Sequence, residues 1–97
     1  MDKYRINAKR NDSIFGGTWV DGYINNLRFQ AKIYDVGSKF GINGGRISKL
    51  AVWDESNRRA GDLISYDRGW DKKSADDCQR KLLQALLEYL EGGGQDA

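Results

Sequence analysis

Three aromatic side chains, Trp19, Tyr23 and Trp53, have the cations Arg28, Lys32 and Lys49 between them. Rings stack on bases or fill hot spots at protein interfaces, and cations pair with phosphate or carboxylate. The set therefore suits a contact surface. Two short stretches extend it: Arg58-Arg59 in a charged loop, and Arg68 with Trp70 inside Asp67-Arg68-Gly69-Trp70-Asp71. Four readings are open for these residues: a protein contact, a homodimer surface, a second minor core under a curved sheet, or a platform for single-stranded nucleic acid. Contact with protein, self or foreign, ranks first. Nucleic acid ranks last, because a net charge of +2 is modest for binding a phosphate backbone. For Arg68 and Trp70, bracing the start of the following helix is preferred to exposure as anchors.

Catalytic chemistry has little to draw on. The chain has no histidine, which removes the commonest neutral-pH base and the commonest metal ligand. Cys78 is the one cysteine, so no internal disulfide can form, and no base accompanies it. Asp54 with Glu55, or Asp67 with Asp71, could pair in space, but paired carboxylates need a cleft that separates their pKa values. Asp67 and Asp71 do not follow a calcium-loop pattern. The glycine-rich run Gly37–Gly45 could cradle an anion, yet no Gly-Lys-Ser/Thr closes it, and Asn43-Gly44 reads as a tight turn. The expectation is a non-enzymatic chain without cofactor or metal.

The elements that must position these residues begin with the helix. Apolar residues recur from Ala75 through Cys78, Leu82, Leu86 and Leu90, a period of 3.6 that predicts one amphipathic helix over Ser74–Glu91. Ser74 with Asp77 reads as a capping box, Asp76–Arg80 and Asp77–Lys81 as i,i+4 pairs, and Gly92 as the stop. Cys78 falls on the apolar face, where a buried thiol is expected.

Upstream, Tyr4, Ile6 and Ala8 alternate with Lys3, Arg5, Asn7 and Lys9, as in an edge strand with a basic outer row. Residues 18–35 read as a hairpin turning at Asn25-Asn26. Its register puts Thr18, Val20, Gly22 and Ile24 opposite Ile33, Ala31, Phe29 and Leu27 on the core face. Trp19, Asp21 and Tyr23 then oppose Lys32, Gln30 and Arg28 on the other. Residues 46–54 give a central strand with Ser48, Leu50 and Val52 on one face and Ile47, Lys49, Ala51 and Trp53 on the other. A last strand covers residues 61–66.

The resulting fold class is α+β: an antiparallel sheet of four to five strands with one C-terminal helix packed across one face. Residues 1–91 form a single domain and residues 92–97 a flexible tail. Hydrophobic residues at 39% and charged residues at 31% suit a folded domain, and without proline the turns fall to Gly, Asn and Asp. Charge is polarised: residues 1–53 carry +5 and residues 54–97 carry −3. No stretch resembles a signal peptide or reaches bilayer length, so no membrane contact is expected and the cytoplasm is the expected compartment.

Phe40-Gly41-Ile42-Asn43-Gly44-Gly45-Arg46-Ile47-Ser48-Lys49-Leu50, followed by Ser65-Tyr66-Asp67-Arg68-Gly69-Trp70-Asp71 and an acidic-started helix, resembles a small uncharacterised domain of phage and prophage proteins of Gram-positive bacteria. The likeness spans roughly residues 15–91. That family carries no assigned catalytic residues. What the resemblance implies is an accessory protein acting in a host cell, binding a host replication or defence component, an inhibitor of bacterial immunity included.

Overall fold

Asn25-Asn26 turns the chain between two seven-residue strands, β2 (Thr18–Ile24) and β3 (Leu27–Ile33). Asn25 alone of the pair takes the left-handed region, at φ +54. Every pair in the expected register is present, from Ile24 opposite Leu27 to Thr18 opposite Ile33. Gly22 is required in this hairpin: a methyl there would collide with the Arg5 carbonyl and press on the Phe29 ring.

The computed structural model describes residues 3–73 and 76–92. Around the hairpin it adds β1 (Tyr4–Asn11), β4 (Ile47–Asp54), β5 (Asp62–Asp67), β6 (Trp70–Lys72) and the helix α1 (Asp77–Glu91). Short 3-10 segments lie at Ile42–Gly44 and Glu55–Ala60. The strands form one antiparallel meander in chain order. The α+β class holds, with six strands rather than four to five. The sixth, Trp70–Lys72, is too short to show an alternation. Its turn also hides, because Arg68 rather than Gly69 takes the positive φ, at +59.

One face of the sheet meets the helix. Ile24, Phe29, Leu50, Val52 and Ile64 pack with Leu83, Leu86 and Leu90 of α1 in a single buried cluster. Burying each such side chain contributes about 1.5–3 kcal/mol. Tyr4 stacks flat on Tyr89, with ring centres 4.1 Å apart, which ties edge strand β1 to the helix.

Two bulges revise the expected faces. Between β3 and β4 the register slips at Ser48, so Lys32 opposes Lys49 while Ile33 opposes Ile47. Ile47 consequently joins the helix-side core, fully buried. Ser48, expected beside Leu50 and Val52, turns to the helix-free face with Lys49, and the two side chains line one cleft there. Between β1 and β2 the slip at Asn7 places Ala8 opposite Asp21, off the core face, and Ala8 is exposed.

The helix ends also differ. The expected capping residue Ser74 lies outside the described residues, as do Ala75 and the tail beyond Gly92. Asp76 is the N-cap of α1, its carboxylate accepting from the Gln79 amide at 2.8 Å. With Asp76 so engaged, Arg80 pairs with Asp77 at i,i+3 instead of the two expected i,i+4 pairs. Cys78 is exposed, not buried. It precedes Leu83 by about 140° of helix rotation, which carries the thiol off the buried line.

At the other end of α1, Arg46 and Glu91 make a clamp. The Glu91 carboxylate accepts from the Arg46 amide at 2.7 Å and the Ile47 amide at 3.3 Å. The Arg46 guanidinium donates to the Glu91 and Leu90 carbonyls at 2.9 and 3.3 Å, satisfying helix C-terminal acceptors.

Candidate functional site

The helix-free face carries Trp19, Tyr23, Arg28, Lys32, Lys49 and Trp53 together, as their types suggested. The pairing sorts them into two clusters. Toward the Asn25 turn run Tyr23, Arg28 and Trp53 on neighbouring strands. Toward the opposite end run Trp19, Lys32, Lys49 and Asp67.

The first cluster is a ladder of cations on rings. Arg5 lies over Tyr23 at 4.5 Å, Arg28 over Tyr23 at 4.8 Å and Trp53 at 5.8 Å, and Arg58 over Trp53 at 4.9 Å. Arg28, in the middle, is already neutralised. Its Nη2 donates to both Asp21 carboxylate oxygens, at 2.6 and 2.8 Å, and its Nη1 donates to Glu55 at 3.1 Å. The Asp21 hydrogen bond is the main reason its pKa is raised. Rings that carry guanidinium groups offer less surface to a base, and a cation held by two carboxylates has little left for phosphate. Arg59 is exposed in the 3-10 segment after β4 and does not join the ladder.

At the opposite end Lys32 is only 4% exposed. Its ammonium lies 5.5 Å from the Trp19 and Tyr34 rings and 5.6 Å from Phe15. It donates to the Asp12 carboxylate at 2.8 Å, and that bond chiefly raises its pKa. The same carboxylate accepts from the backbone amides of Ile14 and Phe15 at 3.0 and 2.9 Å. These bonds hold the Asp12 carboxyl far below the usual range, the Lys32 bond contributing most. Lys32 is thus the internal anchor of the β1–β2 loop.

That loop presents Ile14, 81% exposed, and Phe15, 75% exposed. The β3–β4 connection presents Val36, 76% exposed, and Phe40, 40% exposed. It too is tied to the sheet. The buried Tyr66 hydroxyl donates to the Phe40 carbonyl at 2.6 Å, and Trp70 meets the Tyr66 ring edge-on at 4.9 Å. Trp70 also shares a hollow with Arg80 and Leu83 of α1, consistent with bracing the helix. Arg68 goes elsewhere. The Arg68 amide donates to the Ser48 carbonyl, and its guanidinium sits 4.4 Å above the Phe40 ring.

Between the loops lies a cleft of about 620 Å³, within the range of ligand sites. Phe15, Tyr34, Val36 and Phe40 supply its apolar walls, and Lys32, Lys49 and Arg68 its charge; no carboxylate lines it among the described residues. The sequence reading missed Phe15, Val36 and Phe40. Their only signal is apolar residues set among glycines in loops, without periodicity.

Among the described residues no group of three His, Cys, Asp or Glu side chains could hold a metal. No described helix is long and apolar enough to cross a membrane. No curated protein and no solved structure matches the chain. The model of a domain of unknown function, DUF7678, matches residues 18–91, which takes in β2 through α1, so the chain belongs to that family.

Proposed function

We propose that the protein is a non-enzymatic protein-interaction module whose contact surface is the loop-end cleft. The observation that carries this is a pair of anchored loops with exposed apolar tips. Lys32 fixes the loop bearing Ile14 and Phe15 through Asp12, and Tyr66 fixes the loop bearing Phe40. Scattered exposed apolar residues are ordinary, but three drawn from two loops, Phe15, Val36 and Phe40, line one cleft and form a patch of the kind that marks a binding site. Anchoring lowers the entropy lost when a partner seats. Arg68 belongs to this surface. Lys32 supports it from within rather than touching the partner, and Arg28 stays at the other end of the sheet face, held by Asp21 and Glu55.

The likeness to phage and prophage domains extends the reading to an accessory protein acting in the host cytoplasm, with a host component, a defence protein included, as the target. Nucleic-acid binding on the aromatic face is the competing role, and the ladder's internal pairing weighs against it.

A photo-crosslinking residue placed at Phe40, Arg58 or Gln84 separates these. A discrete protein adduct in host lysate from position 40, absent from position 84 on the helix and unaffected by nuclease, is the expected result. An adduct from position 58 that nuclease removes would transfer the function to the ladder and to nucleic acid.

A further inference from the structure

The chemistry of the cleft narrows the class of partner. Its charged lining is Lys32, Lys49 and Arg68, with no acid among the described lining residues. Lys32 is spent on Asp12, and Lys49 is held only loosely by Asp67 at 3.7 Å. Arg68 has no carboxylate within salt-bridge distance among the described residues, and neither does Lys39. Both lie over the same ring: Arg68 at 4.4 Å from the centre of Phe40 and Lys39 at 5.2 Å. The cleft lining therefore joins one unpaired cation, Arg68, to an exposed apolar wall, and Lys39 adds a second over the same ring.

Arg68 takes its place through an unfavourable backbone. A non-glycine residue at φ +59 is uncommon, and glycine stands next to it at position 69. The Arg68 amide meets the Ser48 carbonyl at 3.0 Å, one step beyond the Lys49–Asp67 pair of the β4–β5 ladder. A left-handed arginine at the end of that ladder brings one guanidinium to the cleft lining, and such local strain gathers at binding sites.

We propose, building on the loop-end contact reading, that the cleft binds an acidic peptide segment of a partner protein. One large apolar side chain of the segment enters between Phe15, Val36 and Phe40, and an adjacent Asp or Glu pairs with Arg68 and Lys39. The volume exceeds what one side chain fills, so a short run of residues is accommodated. Nucleic acid fits less well. Arg68 already lies over the Phe40 ring, and the free cations cluster at one point instead of tracking a backbone.

The test uses the full chain immobilised and panned with a random short-peptide display library, counter-selected on the Phe15→Ser/Phe40→Ser variant. Both rings are exposed, so that variant keeps the fold, and its unchanged thermal melt confirms it. Enriched peptides are expected to carry Asp or Glu beside Trp, Phe, Leu or Ile. By fluorescence anisotropy the leading peptide loses about tenfold in affinity on Arg68→Asn, a change that keeps a residue tolerant of the left-handed turn while removing the charge. Enriched peptides that are neutral or basic but still need Phe15 and Phe40 overturn the acidic chemistry and leave the contact reading intact. Enrichment only when the counter-selection is omitted, with peptides that bind the double variant equally well, overturns the contact reading as well. An absence of enrichment refutes the peptide proposal, and so does a single-stranded oligonucleotide whose binding depends on Phe40.

Discussion

The Glu91 clamp allows a prediction in which two substitutions mask each other. The Glu91 carboxylate receives the Arg46 amide at 2.7 Å, the Ile47 amide at 3.3 Å and the Arg46 Nε at 3.3 Å. Glu91→Ala removes all three bonds and strands two backbone donors where β4 begins. Hydrogen bonds to a charged group contribute about 1.5–3 kcal/mol each in shielded sites. Here both side chains are roughly 30% exposed, so the total is discounted to about 2 kcal/mol for solvent screening. For a domain of this size that lowers Tm by about 10 °C.

Gly45 is the second partner. A methyl on Gly45 would overlap the Glu91 carboxylate, and the nearest other atom, the Ile42 carbonyl oxygen, is 3.1 Å away. Gly45→Ala therefore expels the carboxylate and costs about the same 2 kcal/mol. Its φ of −87 suits alanine. Once Glu91 is alanine, the same substitution becomes neutral or gains about 0.4–1 kcal/mol from a less flexible unfolded chain. Urea denaturation of the wild type, both single variants and the double variant reads the coupling, expected near 2 kcal/mol. Glu91→Gln keeps an acceptor for the amides and falls between. Additive costs in the double variant would mean that Gly45 and Glu91 do not compete for the same space, and the clamp would not be what fixes the helix end.

Tyr66→Phe removes only the bond to the Phe40 carbonyl. It should cost about 1 kcal/mol, while amide exchange at Phe40 and Gly41 quickens far more than elsewhere. Asp12 sets a pH expectation. Its folded pKa is depressed, so its stabilising effect is present above the ordinary carboxylate value and is lost only as pH falls through the depressed one. The Ile14 and Phe15 amide resonances should therefore hold their positions from neutral pH to about pH 4, and should move in Asp12→Asn at any pH. Cys78 is exposed and should react fully with a thiol reagent in the native protein. Reaction only after denaturant is added would place it in the core.

The hairpin was legible because two strands folded about one turn constrain each other. Each residue on the core side of β2 has a partner that confirms its parity. Strand β4 offered no such check. Ile47 and Ser48 sit beyond a bulge, and a two-against-one pairing leaves no trace in the alternation of either strand alone. The site was half legible for a different reason. Residue type found the aromatic and basic face, but a lysine's type does not say whether its head meets water or a buried carboxylate. Lys32 meets Asp12 across 20 positions of sequence, a contact that exists only after the sheet forms. Phe15 and Phe40 lack periodicity altogether, so the sequence marks them as loop residues and says nothing of where the two loops converge.

Burying Lys32 is hard to justify as stabilisation. Removing an ammonium from water carries a desolvation penalty that a single ion pair offsets only with good geometry, and an apolar side chain at such a site is commonly as stable. The Asp12 pair has further uses, since the same carboxylate orders the Ile14 and Phe15 amides. The arrangement therefore gains position rather than free energy. It keeps two apolar side chains in water near a cleft where Arg68 has no carboxylate within salt-bridge distance among the described residues, a configuration that folding alone does not favour. A sheet face that neutralises its own arginine in Arg28, and a loop end that leaves Arg68 on an exposed ring without a carboxylate among the described residues, divide the charged surface into an end paired within the fold and an end left open to solvent.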